Sequence, residues 1–421
     1  MSVRFFADTR PLQIPAYRRL WVANIATVIG AQLTVVAVPA QIYSLTGSSA
    51  YVGLTGLFGL VPLVVFGLYG GAISDAFDKR RVLLTTTTGM MACALVFWAL
   101  SLSGLHNVWL LLAAFSLQQA FFAVNQPTRI AIFPRIVPAG QLAAASSLNG
   151  TLQQFGAVVG PLVAGALIPF TGYTWLYFLD ALSILSSLWA VIALPALPAV
   201  GQSKTYSVSR RLIDGFRYIF AHHILLASFA ADLIAMVFGM PRALYPEIAH
   251  VNFGGPESGG TAMSLLYSAM AVGAIIGGLL SGWTSHVRHD GRVVCWAIAA
   301  WGAVIALGGF FATQCHGAMG FYGVMVIAMI VIGGITDMWS AACRGAILSQ
   351  AANAEVQGRI QGVHVIVIAG GPRLADILHG WLAHYLGAGA TMAWGGVATV
   401  IGIGLLALAI PALRNYTRPT A

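Results

Sequence analysis

Twelve apolar runs follow one another along the chain, each about as long as a helix that crosses a lipid bilayer. A hydrocarbon core of ~30 Å takes about 20 residues of α-helix. At that length the runs fall near 20–43, 51–73, 82–103, 108–131, 142–170, 174–194, 224–245, 262–282, 292–312, 319–341, 360–384 and 390–411. Nothing constrains the fold more, because backbone inside lipid must satisfy its own hydrogen bonds. Of 421 residues, 58% are hydrophobic and 8% charged, where a soluble domain carries about a quarter charged. The expected class is an all-α, multi-pass membrane protein. The opening segment MSVRFFADTRPLQIPAYRRLW is polar and mixed, and the first run is too long for a signal peptide's apolar core.

The charges report orientation. The connections near 44–50, 104–107, 171–173, 246–261, 313–318 and 385–389 contain no Lys or Arg. Nearly all 21 basic residues fall at the other ends of the runs, from Arg18 and Arg19 through Lys79–Arg81 to Arg414 and Arg418. By the positive-inside rule both termini are cytoplasmic. The net charge of +9 is therefore topology rather than a nucleic-acid surface. Arg242 and Arg373 are the exceptions, inside apolar runs. The segment 196–223 is polar and basic, and RRLIDGFRYIF places Leu212, Phe216, Ile219 and Phe220 on one helical face. It reads as an interfacial helix, or as a plain tether.

Four short strings recur in chain order. VPAQIY at 38–43 matches MPRALY at 240–245, and GGAISD at 70–75 matches GGLLSG at 277–282. GPLVAG at 160–165 matches GPRLAD at 371–376, and RIAI at 129–132 matches RGAI at 344–347. The expected organisation is a six-helix half over 1–195, a linker over 196–223 and a second half over 224–421. Parallel repeats of this kind are a transporter architecture, with the substrate site where the repeats meet.

The stretch GGAISDAFDKRR at 70–81 gathers five charges in a chain poor in them. Its Gly71, Asp75, Lys79, Arg80 and Arg81 resemble the loop signature of the major facilitator superfamily, between spans 2 and 3. AQLTVVAVPAQIYSLTGSSAYVGL and GRIQGVHVIVIAGGPRLADILHG are similar to the enterobactin-exporter-like branch of its twelve-span drug exporters. The resemblance implies the twelve-helix major facilitator fold and a cytoplasmic gate at the signature, with the basic cluster pairing Asp75. GAVVGPLVAG at 156–165 resembles the span-5 motif of antiporters, with Gly156, Gly160, Pro161 and Gly165 in place and Ala164 at a usual glycine. Other departures are Ala76 after the signature aspartate, Gly282 in its second copy, and Ala31 and Gln32 where relatives carry a span-1 acid. The mid-span-4 arginine is missing from LLAAFSLQQAFF.

Charges inside spans are costly and mark transport pathways. Arg373 and Asp376 stand where the first half has Leu162 and Gly165, share a helix face, and are expected to pair. Asp232 and Asp337 are expected near the cytoplasmic side, paired with Arg344 or Arg129, and Asp180 near the outer end. Gln119 and Gln153 are candidate cavity amides, and Arg242 is a candidate outer-gate charge. A purely structural Arg373–Asp376 pair is the plain alternative.

No nucleophile–base pair, metal-ligand spacing or phosphate-binding loop appears, which disfavours an enzyme or an ATP-driven pump. No cofactor or metal is expected, and the ten histidines lack zinc-helix spacing. The expected function is proton-coupled export of a siderophore or similar amphipathic molecule by alternating access, in a bacterial inner membrane, as a monomer. The alternatives are a macrolide-type multidrug antiporter and, further off, a polytopic membrane enzyme or sensor.

Overall fold

A computed structural model describes residues 8–198, 216–351 and 357–417. Within its helices a few side chains, among them those of Asp75 and Gln154, lie outside the described residues. Most of the segment 196–223 lies outside as well; residues 216–221 are helical.

The first four crossings are α1 (Pro15–Thr46), α2 (Ser49–Ala76), α3 (Lys79–Leu102) and α4 (Val108–Ile136). Helix then runs over Leu142–Ile192 with one break, at Gly172 (φ 65°, ψ −174°). Only glycine adopts such a backbone without strain, so this turn separates two crossings, Ala139–Ile168 (α5) and Phe170–Ile192 (α6). The second series is α7 (His223–Gly239), α8 (Thr261–Leu279), α9 (Asp290–Thr313), α10 (Gly320–Ala351), α11 (Gln357–Leu386) and α12 (Ala388–Ala409). Eleven of these stretches are long and apolar enough to span a membrane. The other, α11, has 30 residues but carries Arg373, Asp376 and three histidines. No strand occurs among the described residues.

The chain forms two compact units, Met1–Val38 with Val61–Val208, and Pro39–Leu60 with Ser209–Ala421. In the first, α3 packs along α6. Phe97 stacks on Tyr177 at 5.2 Å, and the Ser101 and Thr174 hydroxyls meet at 2.6 Å. In the second, α9 packs on α10 and α12, and α7 packs on α11 and α12. Large apolar side chains such as Phe170, Leu279 and Leu408 are exposed, as suits a surface solvated by lipid.

The repeats have a structural counterpart inside each unit. Gly160 on α5 lets Gln32 of α1 approach, and Gly371 on α11 lets Met236 of α7 approach. Small residues at such crossings bring membrane helices together where the hydrophobic effect gives no drive.

Candidate functional site

The densest intramembrane charge lies in the second unit. Asp232, mid-way along α7, and Asp337 and Arg344, seven apart on α10, form one cluster. Seven residues are two helical turns, so the two α10 side chains share a face. Arg344 Nη2 stands 3.1 Å from Asp232 Oδ1 and 3.6 Å from Asp337 Oδ1. Asp232 and Arg344 are buried, while Asp337 keeps 26% of its side chain exposed. Of the two arginines the sequence offered as partners, Arg344 takes both acids. Arg129 instead donates to Asn24 Oδ1 (3.0 Å) and Ser187 Oγ (2.7 Å).

A second charged group forms where α7 ends. Pro241 has no N–H, the helix stops at Gly239, and its last carbonyls lose their intrahelical donors. His379 of α11 fills that gap. Its Nδ1 lies 3.0 Å from Met240 O and its Nε2 3.0 Å from Phe238 O. A neutral imidazole donates to one acceptor, and only the imidazolium donates to two. One turn away, Asp376 Oδ2 is 3.4 Å from Arg242 Nη2. The i, i+3 spacing pointed to Arg373, but a tertiary contact that spacing cannot see brings in Arg242. Arg373 lies against α2, where a Cβ placed on Gly59 would meet its Nη1 at 2.9 Å. Gly53 and Gly380 bring α2 and α11 into backbone contact, so that a Cβ on Gly380 would stand 2.6 Å from Gly53 Cα. Tyr267 OH donates to Arg242 O at 3.3 Å, and Tyr267 packs edge-on against Tyr245.

Glu247 was not singled out from the sequence, where it reads as an ordinary acid in a connection. Its Oε2 accepts from the Ser49 hydroxyl at the start of α2, and its Oε1 accepts from the Ala388 amide (3.0 Å) at the start of α12. Helix N-termini have unsatisfied N–H groups and favour negative charge. One carboxylate therefore joins two helix starts. The only advance signal was an acid between Pro246 and an apolar stretch in a lysine- and arginine-free connection.

In the α2–α3 connection the described anchor is Asp78 rather than Asp75. Asp78 caps α3, accepting from Arg81 N (3.0 Å), and also accepts from Leu197 N (2.8 Å). Lys79 N donates to Leu197 O (3.0 Å) and Arg80 Nη2 to Ile192 O (2.7 Å). The basic cluster thus binds the loop to the exit of α6. The side chain of Asp75, and hence its expected pairing, lies outside the described residues, as does Gly71.

Gly156 and Gly160 admit Val28 and Gln32 of α1, and Pro161 and Gly165 are buried on the same helix. Gln119 on α4 and Gln153 on α5 are half-buried. Asp180 is not near the end of α6: it lies eight residues past the Gly172 turn, about 12 Å along the helix axis. It is 1% exposed, and Thr34 Oγ1 donates to its Oδ2 at 2.6 Å. Among the described residues, no group of three or more His, Cys, Asp or Glu gathers for a metal.

Spanning helices in two compact units, with intramembrane charges gathered in clusters, are the architecture of a membrane transporter. Its fold matches the nucleoside transporter NupG with a TM-score of 0.74 at 13% identity, covering 95% of this chain and 99% of that one. Residues 7–418 match the family described as transmembrane secretion effector. The chain belongs to that family, in the enterobactin-exporter-like branch of the major facilitator superfamily. It is 26% identical to enterobactin exporter EntS of Citrobacter koseri over 409 residues, 96% of this chain and 94% of the relative. Against EntS of Shigella boydii serotype 18 the figures are 27% over 400 residues, 94% and 90%.

Proposed function

We propose that the protein is a proton-coupled exporter of a siderophore or similar amphipathic small molecule, working by alternating access in a bacterial inner membrane with both termini cytoplasmic. In this reading two six-helix halves, 1–195 and 224–421, are joined by a cytoplasmic linker over 196–223.

The observation that carries it is the Asp232–Arg344–Asp337 cluster, where one guanidinium serves two carboxylates. With all three ionised, one negative charge is left over inside a membrane protein, and such a charge is costly. A proton on the more exposed Asp337 balances it, and losing that proton restores the charge. The cluster thus has two states of different charge, which a pH gradient can drive. The similarity to enterobactin exporters supports the siderophore as cargo. Arg373, Asp376, Gln119 and Gln153 then serve substrate and proton coupling. The signature residues Gly71, Asp75, Lys79, Arg80 and Arg81 form the cytoplasmic gate, and Arg242 belongs to the outer one.

The test has two arms. Proteoliposomes with an imposed pH gradient should accumulate a radiolabelled catecholate siderophore, and a protonophore should abolish the accumulation. Cells lacking their own exporter should regain siderophore secretion under iron starvation. Gradient-driven movement of a macrolide but not of the siderophore would establish the multidrug alternative, and no gradient-driven movement of either would overturn the reading.

A further inference from the structure

Three acids well inside the helices described above have a guanidinium within 3.6 Å: Asp232, Asp337 and Asp376. Asp180 differs. No cation stands within 4 Å of it among the described residues, and its carboxylate meets hydroxyls. Thr34 Oγ1 donates at 2.6 Å to Oδ2, and Ser183 Oγ lies 3.4 Å from Oδ1. Oδ1 also rests on the backbone of α1, 2.9 Å from where a Cβ on Gly30 would stand.

Among the described residues, the elements around it offer no compensating charge. The α1 residues that face it are Gly30 and Thr34, and α3 presents Ala94 and Phe97 to the same stretch of α6. A titratable neighbour is Tyr177, one turn away on α6 and stacked on Phe97. Arg129 is tied to Ser187, which lies seven residues further along α6, a rise of about 10 Å from Asp180.

We propose that Asp180 is a proton-binding site in the first unit. A buried carboxylate without a cation is expensive while ionised, and protonation removes the charge with almost no change of shape. Its hydroxyl partner suits both states. When Asp180 is ionised, the Thr34 hydroxyl donates to Oδ2. When Oδ2 carries the proton, it donates to Thr34 Oγ1, and Thr34 turns its own hydrogen to the carbonyl four residues back, as helical threonines do. One proton enters from water and none is left without an acceptor. Hydroxyls continue along the α1–α6 seam from this point. Thr27 Oγ1 lies 3.3 Å from Ser183 O, and Ser186 Oγ lies 3.2 Å from Ala23 O. Use of the site in driving export rests on the proton-coupled reading above, whereas its occupancy by a proton does not.

The experiment is therefore a titration without substrate or gradient. The purified full-length protein in nanodiscs is followed by infrared difference spectroscopy across pH, in the C=O stretch region of protonated carboxylic acids. The parent should show a buried carboxyl that gains and loses its proton. Asp180→Asn, which keeps the shape and an acceptor for Thr34, should lose that band. Thr34→Val should shift the band in frequency and move its midpoint by about one pH unit, since a hydrogen bond to a charged group is removed. An unchanged band in Asp180→Asn, or a parent with no titrating carboxyl that this substitution removes, would overturn the proposal. A transport assay on inactive liposomes would test the exporter reading and leave this result standing.

Discussion

Arg242 and Asp376 meet across helices, 3.4 Å apart, at the point where α7 breaks and α11 passes it. The carboxylate is almost sealed, whereas the guanidinium keeps 34% of its side chain exposed. The two partners should therefore respond unequally to loss of the other.

Arg242→Leu strands a buried carboxylate and should destabilise by ~3–5 kcal/mol. Asp376→Asn leaves a cation that can still reach water, so its effect should be smaller. The double variant should recover most of the stability lost by Arg242→Leu. Thermal unfolding in detergent, read for all three variants, checks the order. Equal losses in both singles would count against it.

Arg344 is shared, so its two acids should not be equivalent. Asp337→Asn leaves a balanced Arg344–Asp232 pair and should preserve the folded protein while removing the proton dependence of transport. Arg344→Leu leaves two carboxylates together and should cost more than either acid's removal. Expression yield and transport against external pH would separate these outcomes.

Glu247→Ala removes acceptors from Ser49 and from the Ala388 amide together. A loss of ~1–3 kcal/mol is expected. Amide hydrogen exchange should rise at the starts of both α2 and α12, with the middle of α12 unchanged. Faster exchange at one start alone would show that the carboxylate does not bridge them.

Asp78 and Asp75 should separate a structural from a gating role. Asp78→Ala loses the α3 cap and the Leu197 contact, and stability should fall by ~1–2 kcal/mol. Asp75→Asn should leave insertion and thermal stability intact and lower transport. Unchanged transport in Asp75→Asn would remove that residue from the gate.

The crossings were legible because each is a long one-dimensional signal. The run near 51–73 became Ser49–Ala76, and that near 292–312 became Asp290–Thr313. Ion partners were harder. Asp232 and Arg344 lie 112 positions apart, and sequence could nominate Arg344 only alongside Arg129. Spacing set Arg373 beside Asp376, since i, i+3 proximity is visible in a string, but it could not show the return of Arg242 to that carboxylate at a broken helix. Glu247 was missed since an acid in a polar connection has no pattern of its own. The depth of Asp180 was misjudged because the connection between α5 and α6 is a tight glycine turn and α6 starts at Phe170 rather than near 174, which places more helix before Asp180 than the hydropathy boundaries suggested.

The backbone contact between Gly53 and Gly380 has a practical consequence for anyone wishing to hold this protein still. No side chain larger than hydrogen fits there while α2 lies against α11 as it does here. A tryptophan introduced at 380 would act as a wedge, excluding this packing without touching any charged group. Such a variant gives a preparative handle: a population emptied of this one arrangement, suited to antibody selection or imaging of whatever conformations remain.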